Sequence, residues 1–154
     1  MNQQTNPKAV TEKRTFRRET TVSVNIEADS SIVWALLTHA SDFPRWNSTV
    51  VSLSGEIKAG GEIELKSTLD EKRVFILKIK EFVSEKRLVW GDGMGSRVYS
   101  LDKNSNGVFF SMSEKIGGPL FPLFAKMIPS FDKSFEQFAA DLKKEAETIQ
   151  GSKK

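Results

Sequence analysis

Residues 130–149 read SFDKSFEQFAADLKKEAETI, and the positions of their apolar side chains decide the fold. Phe131, Phe135, Phe138, Leu142, Ala146 and Ile149 follow one another at intervals of three or four. On a helix of about 3.6 residues per turn they form one stripe, while Lys133, Glu136, Asp141, Lys144 and Glu147 fall elsewhere and stay wet. Ser130 is the expected N-cap, Asp132 places a carboxylate in the first turn where the amide dipoles favour it, and Gly151 is the expected end. Burying the five large side chains at roughly 2 kcal/mol each gives at most about 10 kcal/mol. That holds the helix only against an apolar, concave surface, which the rest of the chain must supply.

Working outward, the stretch from residue 19 to residue 118 supplies it as strands. ETTVSVNIE (19–27) alternates, with Val22, Val24 and Ile26 on one side. Asp29 then caps a short helix, SSIVWALLTHA, with Ile32, Val33, Leu36 and Leu37 as its inner face. SDFPRWNS breaks at Pro44 into a separate turn or short helix. Val51 and Leu53 mark a second strand, followed by GEIELKSTL and RVFILKIKEF, in which Ile63, Leu65 and Leu69, then Phe75, Leu77 and Ile79, oppose charged neighbours. Leu88 and Trp90 lie in a short strand. SRVYSLDK and GVFFSMSEK form a hairpin about Asn106-Gly107, with Arg97, Tyr99 and Leu101 on one face and Val108, Phe110, Met112 and Glu114 on another. Short connectors require antiparallel neighbours, so the expectation is a meander of six or seven strands. The fold class is therefore α+β: a curved antiparallel sheet around a long C-terminal helix, with two short helices after the first strand.

Composition narrows the function. The chain has 154 residues, 38% of them hydrophobic, which suits one domain. It has no cysteine, which removes disulfides, thiolate metal sites and a cysteine nucleophile, and fits a reducing cytoplasm. No apolar run is long enough to span a membrane, and the opening MNQQTNPKAVTEKR has no signal-like core. The net charge of +3 sits entirely in residues 1–19, where Lys8, Lys13, Arg14, Arg17 and Arg18 face only Glu12 and Glu19. The body is neutral, which argues against a nucleic-acid surface, and residues 1–19 read as a flexible basic tail before a single domain over 20–150.

No residue pattern declares catalysis. His39 is the single histidine, and with Ser41 and Asp42 on one turn it cannot set nucleophile, base and orienter in line, so it reads as the C-terminal cap of its helix. One histidine without cysteine leaves no zinc donor set, and no cofactor or metal is expected. Gly91-Asp92-Gly93-Met94-Gly95 precedes a strand, where a dinucleotide fingerprint opens a helix, so it reads as a hairpin turn. Trp34 reads as packing, and Trp46 and Trp90 as either core or cavity wall. Strand parity aims Arg97, Tyr99 and Glu114 inward, where they must pair or meet a ligand; in the opposite register Arg97 is merely exposed.

Several motifs resemble those of the START-like superfamily, also called SRPBCC, whose bacterial members include polyketide cyclase/dehydrase and lipid-transport types. They are Val33-Trp34-Ala35-Leu36-Leu37, Asp42-Phe43-Pro44-Arg45-Trp46-Asn47, Arg87-Leu88-Val89-Trp90 and the Gly-Gly-Pro-Leu-Phe lead into the last helix. The resemblance covers residues 20–149 and implies a helix-grip fold, in which the sheet grips the C-terminal helix over a hydrophobic cavity.

A gap between sheet and helix is the natural seat of a small-molecule site. Its expected border is Leu65, Leu77, Trp90, Tyr99, Met112, Phe121, Phe124, Phe135 and Phe138, with Trp46, Arg97 and Glu114 as further ligand-binding candidates. The Pro-bounded segment PLFPLFAKMIP is its expected mouth. The expected function is binding or carriage of a small hydrophobic or amphipathic molecule, a lipid, polyketide or aromatic compound. The alternatives are a cyclase, dehydrase or hydrolase acting on such a molecule and a protein-interaction module like the superfamily's chaperone activators. No nucleic-acid partner or stable membrane insertion is expected, and the protein reads as a cytoplasmic monomer or weak homodimer.

Overall fold

Alternating polarity from Arg17 to Gly117 is satisfied by a single antiparallel sheet with one face in the core. The computed structural model describes residues 6–153. Its strands are β1 (Ala9–Lys13), β2 (Arg17–Ile26), β3 (Val50–Gly55), β4 (Glu62–Ser67), β5 (Asp70–Val83), β6 (Arg87–Gly91), β7 (Gly95–Asn104) and β8 (Gly107–Gly117). They lie in the order β1-β2-β8-β7-β6-β5-β4-β3. The β2–β3 connection carries α1 (Ser30–Thr38), a 3-10 turn (Ala40–Asp42) and α2 (Phe43–Trp46) to the far edge of the sheet. After β8 come α3 (Phe121–Phe124), a second 3-10 turn (Ala125–Met127) and α4 (Asp132–Ser152).

The sheet has eight strands where six or seven were expected. The added strand is β1, whose residues the sequence reading placed in the flexible tail of 1–19. Its apolar periodicity is too weak to show a strand, yet Ala9 to Lys13 pair antiparallel with Val22 to Arg18. The Ala9 amide donates to Glu136 at 2.8 Å, and the Thr11 hydroxyl donates to Asp132. Edge pairing and polar ties to α4, neither visible as hydrophobic patterning, hold this segment. The two short helices accordingly follow the second strand. Residues 1–5 of the expected tail lie outside the described residues.

Helix α4 buries Phe135, Phe138, Leu142 and Ala146 of the stripe read from the sequence, together with Ala139; Phe131 is buried at its cap and Ile149 is half-buried. Its first helical residue is Asp132, with Phe131 at the cap and Ser130 Oγ accepting the Asp132 amide, and it runs through Gly151 to Ser152. It packs chiefly on β2 and β1, with α1 and α2 against its other flank. The Asp42–Asn47 motif does structural work here. Arg45 bridges Asp42 and Glu145, each at 2.8 Å, while Asn47 accepts from the Thr49 amide and hydroxyl and reaches the Phe138 carbonyl. The Arg45 hydrogen bonds hold the Asp42 carboxyl below its usual range. At the β7–β8 hairpin Gly107 takes φ +130, and a Cβ there would lie 2.1 Å from the Ile26 carbonyl oxygen, so only glycine fits.

Candidate functional site

Directly opposed residues on neighbouring strands share a sheet face, so the register itself lays out the site. Ile79, Trp90, Arg97, Glu114, Thr20 and Thr11 are successive cross-strand partners from β5 to β1. This row changes character along its length. It is apolar on β5 and β6, carries an ion pair on β7 and β8, and ends in two hydroxyls 2.9 Å apart whose outer member reaches Asp132 of α4. The neighbouring row, Leu88, Tyr99, Met112, Val22 and Ala9, has no charge and packs under Phe138, with the Tyr99 and Phe138 rings 5.8 Å apart.

Because α4 covers the β1–β2 side, the β4–β7 side is left uncovered at one end, and a cavity of about 460 Å³ opens there. Leu65, Leu69, Phe75, Leu77, Trp90 and Ile116 form its apolar walls. Arg97 and Glu114 close its floor, with Phe124, Met127, Ile128, Pro129 and Phe131 along the mouth. Asp70, Arg73 and Asp92 stand at the rim.

The floor is an ion pair that still touches open space. Arg97 Nε donates to Glu114 Oε1 at 2.8 Å, with the side chains 14% and 17% exposed. The guanidinium also lies 5.0 Å from the centroid of the Phe135 ring, a cation–π contact. Burial alone would lower the Arg97 pKa; the charge of Glu114 outweighs it, so the group is held firmly protonated. The Tyr99 hydroxyl lies near this guanidinium without meeting hydrogen-bond geometry, and has no partner among the described residues. Burial pushes its pKa up to about 12, against the opposing pull of Arg97.

A second guanidinium holds the mouth. Arg18, 8% exposed, donates to the carbonyl oxygens of Ile128 at 3.2 Å and Pro129 at 2.7 Å and lies 4.8 Å from the Phe131 ring centroid. Phe131 in turn stacks on Phe135 at 5.7 Å, so two cation–π contacts share one stacked aromatic pair. Burial lowers the Arg18 pKa, partly offset by Glu114 and Asp132.

Of the residues proposed from sequence, Leu65, Leu77, Trp90, Arg97, Glu114 and Phe124 line the cavity. Tyr99, Met112, Phe121, Phe135 and Phe138 do not. They are buried in the solid core beside it, because the helix stripe and the apolar rows interlock without a gap. Trp46 also stands apart: it packs against Phe43 and Phe138 from α2, with its indole N–H unpartnered among the described residues. Arg97 points inward, which settles the choice of register. His39 is exposed at the C-cap of α1, and Asp42 is taken by Arg45. Sequence reasoning missed Arg18, although it shares parity with Thr20, Val22, Val24 and Ile26; its basic neighbours disguised it as tail.

No protein-family model matches the sequence, and no curated protein matches it significantly. Solved structures do match in shape. A Mycobacterium smegmatis START superfamily protein aligns at TM-score 0.61 and 12% identity, over 85% of this chain and 98% of that one. The fold is START-like. The di-domain ARO/CYC StfQ of steffimycin biosynthesis shares this START-like fold at TM-score 0.66 and 10% identity, over 90% of this chain and 53% of its own. A Rhodobacter sphaeroides protein does so at TM-score 0.67 and 18% identity, over 92% and 99%. The START-like frame is the helix-grip arrangement described above, with α4 held by the sheet. No helix among the described residues is long and apolar enough to cross a membrane.

Proposed function

We propose that the protein binds a small hydrophobic or amphipathic molecule in the cavity between the β4–β8 face and the α3–α4 connector, and carries it without converting it. The observation behind this reading is the cavity itself: about 460 Å³, walled by leucine and aromatic side chains, with one ion pair on its floor and its other charged groups at the rim. Pockets of that size and polarity take drug-sized ligands. The START-like fold supports it, and likeness to an aromatase/cyclase supports a lipid, polyketide or aromatic occupant.

Native mass spectrometry of protein purified from its own host tests the proposal. A retained, unmodified lipid or aromatic molecule is the expected result. A neutral fluorescent probe should also bind at micromolar concentration, quench Trp90, and be displaced by fatty acids or polycyclic aromatics. A protein that retains nothing and binds no probe would not be a carrier.

A further inference from the structure

We infer that the cavity selects an apolar molecule with an uncharged head that both accepts and donates hydrogen bonds, such as an amide, over a carboxylate or an ammonium on the same body. The inference rests on the binding proposed above and adds the chemistry of the ligand's head.

The argument begins with what the ion pair leaves unused. A guanidinium carries five N–H donors, and only Arg97 Nε has a partner among the described residues, Glu114 Oε1. The terminal nitrogens of Arg97 and the second oxygen of Glu114 have none. Both side chains line the cavity and keep residual exposure, so donors and an acceptor stand side by side on the floor between apolar walls. Leu77 and Trp90 flank them, and Phe135 fixes the guanidinium from behind.

Charge decides which head fits. Arg97 and Glu114 compensate each other, so an ionised carboxylate reaching for Arg97 meets the Glu114 charge, and an ammonium reaching for Glu114 meets Arg97. Either must also shed its water, which costs most in surroundings this apolar. Arg18 does not tip the balance toward an anion. It does not line the cavity, its terminal nitrogens each donate to a carbonyl of the mouth segment, Ile128 or Pro129, and both Glu114 and Asp132 act on its charge. A neutral amide donates to Glu114 and accepts from Arg97 without adding a charge.

Displacement of a neutral naphthylamine probe by decanamide, decanoate and decylammonium at neutral pH tests this, since the three share one body. Decanamide should displace at about tenfold lower concentration than either ion. Glu114→Gln removes the compensating charge and should turn the preference toward decanoate by about tenfold, while Arg97→Met should turn it toward decylammonium. The double variant Arg97→Met, Glu114→Leu replaces the pair by apolar volume. It should still bind the probe but lose the preference for amide over decane. Decanoate matching decanamide on the unmodified protein overturns the inference even if both single variants fail to fold, and so does a ranking the folded variants leave unmoved. Probe binding without head-group preference sinks this inference alone, whereas no probe binding at all sinks the cavity reading with it.

Discussion

The Arg18 guanidinium donates to the Pro129 carbonyl oxygen at 2.7 Å, tying a strand near the sheet edge to the segment that closes the cavity. Pro129 cannot extend a helix, and Leu123 and Met127 of the same segment are 79% and 76% exposed, so the Arg18 bonds share with buried Phe121 the task of holding it. Arg18→Met keeps the aliphatic stem and removes both hydrogen bonds. Stability should fall by about 1–3 kcal/mol, and stopped-flow probe binding should become faster in both directions. Unchanged rates would mean that molecules enter elsewhere.

Deleting residues 1–13 removes β1 with its ties to Glu136 and Asp132. With about 1 kcal/mol for each of a few hydrogen bonds and about 2–4 °C per kcal/mol, the thermal midpoint should drop by roughly 6–12 °C. Differential scanning calorimetry of the truncated chain checks it. An unchanged midpoint would show that the strand adds nothing to the sheet.

Tyr99 is the single tyrosine, so its ionisation can be followed by tyrosinate absorbance without overlap. Burial pushes its pKa up to about 12, above the ordinary phenol value of 10.0, and the folded state therefore holds the proton longer than the unfolded chain. Its contribution is intact below pH 10.0 and is lost as pH rises toward about 12. Alkaline unfolding and tyrosinate formation should coincide within that window. Titration near pH 10.0 in a protein that remains folded would mean that the hydroxyl reaches water.

Two tryptophan substitutions separate cavity from core. Leu77→Trp adds volume to the cavity wall and should abolish probe binding with little loss of stability. Met112→Trp adds the same ring to a fully buried row and should cost about 1–3 kcal/mol by overpacking. Urea unfolding of both variants beside probe titration reads the contrast, and equal costs would mean that the cavity wall is as tightly packed as the core.

Periodicity made the large features legible. The stripe from Phe131 to Ala146 and the inward faces of β2 and β4–β8 follow from side-chain spacing alone, because burial of one face imposes it. What spacing does not encode is where two buried surfaces fail to meet. Met112 and Leu77 both point inward, yet only Leu77 borders empty space, because α4 lies toward β1 and β2. Arg18 and β1 were hidden for a different reason. Their places are fixed by hydrogen bonds to α4 and to the connector before it, more than a hundred residues later, and a local pattern of basic and polar residues carries no trace of such partners.

The off-centre seat of α4 divides the sheet between two tasks. Substitutions under the helix, at Val22, Met112 or Phe110, are tested against folding itself, whereas those at Leu65, Leu69 or Phe75 change the outline of a space. A descendant of this chain can therefore drift toward a new cargo through β4 and β5 while its scaffold stays under separate selection, and the two kinds of change can accumulate independently.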